Sequence, residues 1–363
     1  MFILALAGLL SGPPDVVFPG ETWPLAKAED VGLTQDQVDA ALSEWARRTG
    51  PDGIKRTAIV RRGRLIHAGP ESKKPNGLYS STKSFTSTCL GLLIADGRVS
   101  LDTKAAEIEP RLSAMYPDAT LRHFTTMTSG YSAQGVSRWD AENSDWSWTP
   151  YEPDVPHFPP GTAYAYWDEA QMMFGRVLTR VAEKDLSDLL NDRIFTRIGV
   201  TTQSWQPEGD MDGLPIRNGC TWLKMSARDL ARFGHLMLNA GRWNGEQLVA
   251  EEWVRAATSV QVPATLPIGQ TDRRNVIGSG CYGFNWWVNG TVRGEDRLLP
   301  DLPERAFFSA GLKHNVCLVV PEWGLVLVRL GEDHNPPDGH AAVLNDVARL
   351  LQPSEAGATA DGE

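Results

Sequence analysis

Cysteine is scarce in this chain: four in 363 residues, far apart, with no C-x-x-C pair among them. That argues against a zinc site and against a dense disulfide framework. Cys89 and Cys317 sit in apolar stretches and read as buried thiols, whereas Cys220 and Cys281 carry no signal of their own. Basic charge is also short. A formal net charge of -10 leaves no surplus to neutralise phosphates, so nucleic acid is not an expected partner. No apolar run is long enough to span a bilayer as a helix. The strongest, MFILALAGLLSG at the N-terminus, has the length of a signal-peptide core but no Lys or Arg before it. The expectation is a secretory leader ending before Pro13 and a periplasmic or secreted protein. The alternative is a frayed apolar start on a cytoplasmic one. G-x-S-x-G, H-E-x-x-H and P-loop signatures are all missing. His334 and His340 lie in a Pro/Gly loop without a third ligand at metal spacing, and read as surface residues. No metal or organic cofactor is expected.

What is present suggests strands at both ends around a helical middle. Thr34 with Gln37 makes a capping box, Val38, Ala41, Leu42 and Trp45 form the apolar stripe behind it, and Gly50 closes the helix. RTAIVRRGRLIHAG then reads as a hairpin. Phe85, Cys89, Leu92 and Leu93 recur at helical spacing up to Gly97. Residues 102 to about 255 look mainly helical, with AQMMFGRVLTRVAEKDLSDLLNDRIF and SARDLARFGHLMLNAG as the clearest helices and a long Trp-rich connection over 131–160. YGFNWWV, RAFFSAG, VCLVV and LVLVRLG return to strand signals, and Ala342 to Leu351 give one last amphipathic helix. The expected architecture is α/β (α+β): one antiparallel sheet completed by both termini, flanked by helices, with a helical lobe inserted. In numbers, 1–18 is an irregular start or leader. Residues 19–352 form one domain, with a sheet lobe at 19–79 and 256–352 and a helical lobe at 80–255. Residues 353–363 form a disordered polar tail.

Ser80 and Lys83 make the only S-x-x-K of the chain. At a helix start the i, i+3 spacing puts both on one face, so the amine can reach the hydroxyl. A serine needs such a neighbour, because its hydroxyl is a poor nucleophile until a base takes the proton. Lysine serves as that base only if its pKa falls from about 10.4 towards neutrality, through burial and a second cation nearby. The motif alone is weak, since a Ser cap followed by a solvated Lys gives the same letters. PPGTAYAYWDEAQMMFG supplies a second candidate group, Tyr166, placed where an aromatic segment enters a helix. A tyrosine can act as a base where a lysine ammonium stabilises its phenolate. Trp139, Trp146, Trp148 and Tyr151, in the long connection before it, could line a cleft or simply pack the loop down.

These segments together resemble a known family. GLYSSTKSFTSTCLGLLIADGRVSLDT resembles the nucleophile helix of β-lactamase-related serine hydrolases: class C β-lactamases, DD-peptidases, carboxylesterases and 6-aminohexanoate-dimer hydrolase. TLRHFTTMTSGY, PPGTAYAYWD, MSARDLARFGHLML and YGFNWWV are similar to further family landmarks, in the family's order. The resemblance runs from about residue 30 to 350. It implies a β-lactamase/penicillin-binding-protein-like sandwich. It also implies Ser80 as the acylated nucleophile, Lys83 as its base and Tyr166 as the acid/base that protonates the leaving group.

Departures from the pattern bear on the substrate. Asp168 stands where the β-lactamases carry Asn, which alters the contact to a substrate acylamide. There is no Lys-Thr-Gly, and His67-Ala68-Gly69 precedes Ser80 and is out of order for its variant. FFSAGLKHNVCLVVP resembles instead the G-x-x-G-Q segment of the esterase and 6-aminohexanoate-dimer hydrolase branch, read as a single strand. On that alignment the Leu312 and Ser80 amides form the oxyanion hole, while Gly311, Asp168 and Lys313 face the substrate, Lys313 as a cation or an exposed strand lysine. His314 replaces a small residue. The resulting expectation is a serine hydrolase of small esters or amides. A D-Ala-D-Ala carboxypeptidase or weak β-lactamase is the alternative, and a catalytically silent binding or sensor domain of the same fold is the alternative from another class.

Overall fold

The computed structural model describes residues 16–135, 146–269, 278–292 and 295–353. The leader reading, Trp139 and nearly all of the polar tail lie outside them. Helix α1 (Gln35–Thr49) starts as its capping box requires: Thr34 Oγ1 accepts from the Gln37 amide, and the Gln37 side chain accepts from the Thr34 amide. Strands β1 (Arg56–Arg61) and β2 (Arg64–Ala68) form the expected hairpin. Arg62 and Gly63 at its tip both have positive φ, the combination a two-residue turn needs to match strand twist. Helix α2 (Thr82–Ala95) follows, preceded by a single 3-10 turn over Tyr79–Ser81 that carries Ser80.

The later strands are β3 (Trp287–Val288), β4 (Phe307–Gly311), β5 (Asn315–Val320) and β6 (Leu325–Leu330). With the hairpin they make a six-stranded sheet in the order β3-β4-β5-β6-β1-β2, every pairing antiparallel. Both ends of the chain therefore build one sheet, as expected. Its inner strands are buried on both faces, and successive side chains point to opposite cores. Ile59, Phe308, Val316, Leu318, Leu325 and Leu327 face α1 and the C-terminal helix α5 (Gly339–Arg349). Val60, Phe307, Cys317, Val319, Val326 and Val328 face the helices of the other side. Helix α4 (Ala227–Leu238) lies closest on that side, and Gly234 is what allows it. A Cβ there would stand 2.7 Å from Val326 Cγ1 and 2.8 Å from Cys317 Sγ.

The helical middle differs from the expectation in two places. The long helix of residues 170–195 is broken: α3 (Asp168–Ala182) ends at Glu183, which takes a left-handed φ of 50°, and short helical turns resume at Leu186. Residues 203–225 are strand-rich rather than helical. Pro207–Met211 and Leu214–Arg217 pair across an Asp212–Gly213 turn, while Gln203–Trp205 and Leu223–Met225 join a small sheet with Asn76–Gly77. Asp-Gly is a hairpin signal, but the strand before it, Pro207–Met211, is mostly polar and carries no apolar alternation. Among the described residues no helix is long and apolar enough to cross a membrane.

Candidate active site

The turn that presents Ser80 is strained. Tyr79, immediately before it, has φ 49°, a conformation that costs a non-glycine residue of order 1 kcal/mol or more and survives only where the surroundings impose it. The imposing contacts come from the sheet. Ser81 Oγ donates to the Asn315 carbonyl at 3.0 Å, and the end of β4 lies against the turn so closely that Gly311 admits no side chain. A Cβ at Gly311 would come within 2.2 Å of Leu78 O and 3.0 Å of Ser80 N. Gly311 is thus the residue that lets the end of β4 lie against the Ser80 amide.

Lys83 stands one turn into the site, only 1% exposed, and its Nζ donates to Ser80 Oγ at 2.9 Å. Nζ also pairs with Asp168 Oδ1 at 2.7 Å. Tyr166 completes the cluster: Nζ lies 4.7 Å from its ring centroid. The ring is held by a stack on Trp287 (5.7 Å, 22°) and an edge contact with Tyr282 (6.2 Å, 89°). Asp168 begins α3, two residues after Tyr166, where a carboxylate is favoured by the free amides of the first turn. Its second oxygen, Oδ2, accepts the Trp146 indole N–H at 2.8 Å. The structure therefore brings together Ser80, Lys83, Tyr166 and Asp168 from two segments up to 88 positions apart.

The charge state of Lys83 is the main correction to the sequence reading. Burial disfavours its ammonium, but the Asp168 carboxylate, helped by Tyr166 and Cys220, outweighs burial and carries the pKa well above its ordinary value. The expected second cation is absent from this pocket among the described residues; an anion occupies that role. Lys83 is accordingly a cation at neutral pH rather than a free amine. Tyr166 is pushed up by burial, drawn down by Lys83 and pushed up again by Asp168, with a net rise.

The third-motif segment is not one strand. β4 and β5 are joined by a tight turn, Leu312–His314, in which Lys313 (φ 61°) and His314 (φ 55°) are both left-handed. Glycine alone would carry no steric penalty at such a position, so His314 needs compensating contacts. It has them: its ring is fully buried, accepts the Trp45 indole N–H on Nε2 at 2.9 Å, and meets His340 through the two Nδ1 atoms at 3.0 Å. His340 is therefore not the surface residue it resembled, whereas His334 is exposed. Lys313 pairs with Glu332, which also accepts from Tyr79 Oη at 3.2 Å. That ammonium is already neutralised instead of standing free for a substrate. Leu312 presents an exposed side chain at the same rim. His67 pairs with Ile59 within the sheet and its Nε2 lies 3.0 Å from Thr57 Oγ1, a structural place.

Of the loop aromatics, Trp146 is buried against Asp168, Tyr151 is partly packed on the core, and Trp148 is exposed. Trp222, half exposed with φ 73°, meets Trp146 edge-on at 6.2 Å and adds a second aromatic at this end of the cluster. Trp222, Trp287, Tyr282 and Glu332 had no role in the sequence reading. Nothing in their spacing links them to Ser80, and only the phrase YGFNWWV pointed to that region.

Residues 57–349 match the family model described as Beta-lactamase. A 6-aminohexanoate-dimer hydrolase of Paenarthrobacter ureafaciens is 26% identical over 149 residues, covering 39% of this chain and 34% of that protein. An uncharacterised protein of Alkalihalophilus pseudofirmus is 31% identical over 115 residues, 32% of each chain. The matched stretches thus span about a third of the curated relatives' length. A Bacillus anthracis structure named for 6-aminohexanoate-dimer hydrolase superposes with a TM-score of 0.67 at 20% identity, covering 85% of this chain and 81% of that one. A penicillin-binding-protein homologue from Caulobacter crescentus gives 0.63 at 15% identity, covering 88% and 97%. With most of its length matched and its antiparallel sheet flanked by helices as in these folds, the chain belongs to the beta-lactamase family.

Proposed function

We propose that the chain is a serine hydrolase that transfers the acyl group of a small ester or amide to water through a Ser80 acyl-enzyme. The observation that carries this reading is the contact of Lys83 Nζ with Ser80 Oγ at 2.9 Å, with Tyr166 and Asp168 around the same ammonium. Ser80 Oγ attacks the carbonyl carbon, and the Ser80 and Leu312 amides stabilise the oxyanion that forms. The Ser80 proton has two candidate acceptors. Freeing Lys83 at pH 7 from a pKa above 10.5 costs more than about 5 kcal/mol, and Asp168 adds to that. Tyr166 is also raised above its ordinary value by burial, but its phenolate forms beside a fixed cation that draws it down, whereas a neutral Lys83 would have to form beside the Asp168 carboxylate. We therefore assign the proton to Tyr166 and make Lys83 the charge that permits it. Tyr166 then returns the proton to the leaving alcohol or amine, and water reverses the sequence. A fluorophosphonate probe should place one label on Ser80, read by mass spectrometry. Label that persists in Ser80→Ala would sink the assignment, and no label with no hydrolysis would favour a silent binding or sensor domain.

Small uncharged substrates fit the site's charges. Cephalosporins and D-Ala-D-Ala peptides carry a carboxylate, and this chain has no Lys-Thr-Gly to hold it. The nearest substitute, Lys313, is engaged by Glu332, and an exposed lysine is worth at most about 1 kcal/mol to a bound carboxylate. Esters need only the oxyanion donors and an apolar wall, which Leu312 and the aromatic cluster supply. kcat/KM for a short nitrophenyl ester is expected to exceed that for a cephalosporin by about a hundred-fold or more, or about 2.7 kcal/mol. Efficient cephalosporin turnover that disappears in Lys313→Ala would reverse this preference and give Lys313 the anchoring role. That one relative is named for 6-aminohexanoate-dimer hydrolase supports keeping amides in the substrate class.

A further inference from the structure

The turn between β4 and β5 contains two consecutive left-handed residues that are not glycine, Lys313 and His314, directly after the proposed oxyanion donor Leu312. Such backbone relaxes unless something over-determines it. The carbonyls of the turn are tied from inside: Arg329 Nη1 donates to Lys313 O at 2.9 Å and His314 O at 3.1 Å, and Asn315 Nδ2 donates to Leu312 O at 2.7 Å. The His314 ring is tied from the far side of the sheet. The Trp45 indole can only donate, so His314 Nε2 must be the unprotonated nitrogen. Its proton then sits on Nδ1, which faces His340 Nδ1. His340 must therefore accept on Nδ1 and carry its own proton on Nε2. One indole thus sets the tautomers of two stacked imidazoles (centroids 5.2 Å, 19°), and each ring must be neutral for the chain of bonds to exist. Burial, with Arg329 and Arg48 nearby, keeps both neutral: His314 falls well below its ordinary pKa and His340 to about 4.

We propose that the Trp45–His314–His340 chain is a clamp that positions the Leu312 amide as an oxyanion donor, with His340 a positioning residue that never touches substrate. The proposal rests on the serine-hydrolase reading of Ser80. Its reach is long: α1 and α5, on the face of the sheet opposite Ser80's helix, hold the geometry of the catalytic turn.

The test uses His340→Leu and His340→Gln in the full chain. Leucine leaves the buried His314 Nδ1–H without an acceptor, whereas the glutamine amide oxygen can replace it. For a short nitrophenyl ester, His340→Leu is expected to lower kcat by about 10- to 100-fold with KM within about two-fold of wild type. Labelling of Ser80 by a fluorophosphonate should slow in proportion. His340→Gln should recover most of the loss at a similar melting temperature. Nitrogen NMR of the imidazoles in wild type should find His314 protonated on Nδ1 and His340 on Nε2 at pH 7. An unchanged kcat in His340→Leu, equal losses in the two folded variants, or the opposite tautomers would each overturn the clamp while leaving the Ser80 reading intact. A wild-type protein that takes no label on Ser80 would overturn both.

Discussion

Lys83→Ala is expected to lose about a thousand-fold or more in kcat, and Lys83→Arg only about a hundred-fold, with the fold retained in both. The difference between the two variants is the informative quantity. Lys83 is fully enclosed and held by Asp168, so its contribution is a fixed positive charge beside Ser80 and Tyr166. Arginine keeps that charge and can pair with Asp168, but its planar fork fits poorly where a compact ammonium sat. Alanine removes the charge and leaves Asp168 to oppose the Tyr166 phenolate. Had Lys83 been a free-amine base, arginine would be as inactive as alanine, because guanidinium does not release its proton in the accessible range. Circular dichroism on each variant separates loss of chemistry from loss of fold, and equal inactivity of the two folded proteins would return the base role to Lys83.

That mechanism shows where the sequence was legible. The capping box at Thr34, the Arg62–Gly63 hairpin and the helix behind Ser80 are written in local letters, and each stands where those letters put it. The same holds for Ser80 with Lys83, three residues apart on one turn. The direction of the Lys83 pKa shift could not be read that way. It depends on a carboxylate 85 positions later, whose identity was visible as a departure from the family pattern but whose hydrogen-bond partner was not. The family pattern points Asp168 at substrate, and the fold adds two contacts that pattern does not show, to Lys83 and to Trp146. His340 was misplaced for a related reason. A histidine in a Pro/Gly loop looks exposed until the fold lays it on His314, 26 positions away and itself held by Trp45 of α1. The strands at 203–225 were hidden for a different reason: they are only three to five residues long and interrupted by Pro and Gly, so periodicity had too little chain to work on.

Asp168→Asn is expected to cost about 3 kcal/mol at pH 7, or roughly 5–10 °C in Tm, and to regain part of that loss as the pH is raised to 9. In the wild type the Lys83 pKa is raised above its unfolded value, so the pair's contribution is fully present below about 10.5 and is lost only as pH climbs through the folded value. Replacing Asp168 leaves burial as the dominant influence on Lys83, and burial drives the pKa down. Between that lowered value and 10.5 the unfolded chain then binds more protons than the folded one, so the variant's stability must rise with pH over that window. Thermal melts of both proteins from pH 6 to 9 measure this directly, as a gap that narrows towards alkaline pH. The rate profile should move in step. Asp168 raises Tyr166, so over the pH range in which Lys83 keeps its proton the limb of kcat/KM that reports loss of the catalytic proton should shift to lower pH in the variant. A stability gap independent of pH would mean that Lys83 keeps its proton without Asp168, and an unmoved limb would mean that the carboxylate does not set the base. Either result would remove Asp168 from the charge balance that distinguishes this site from the Asn-bearing members of its family.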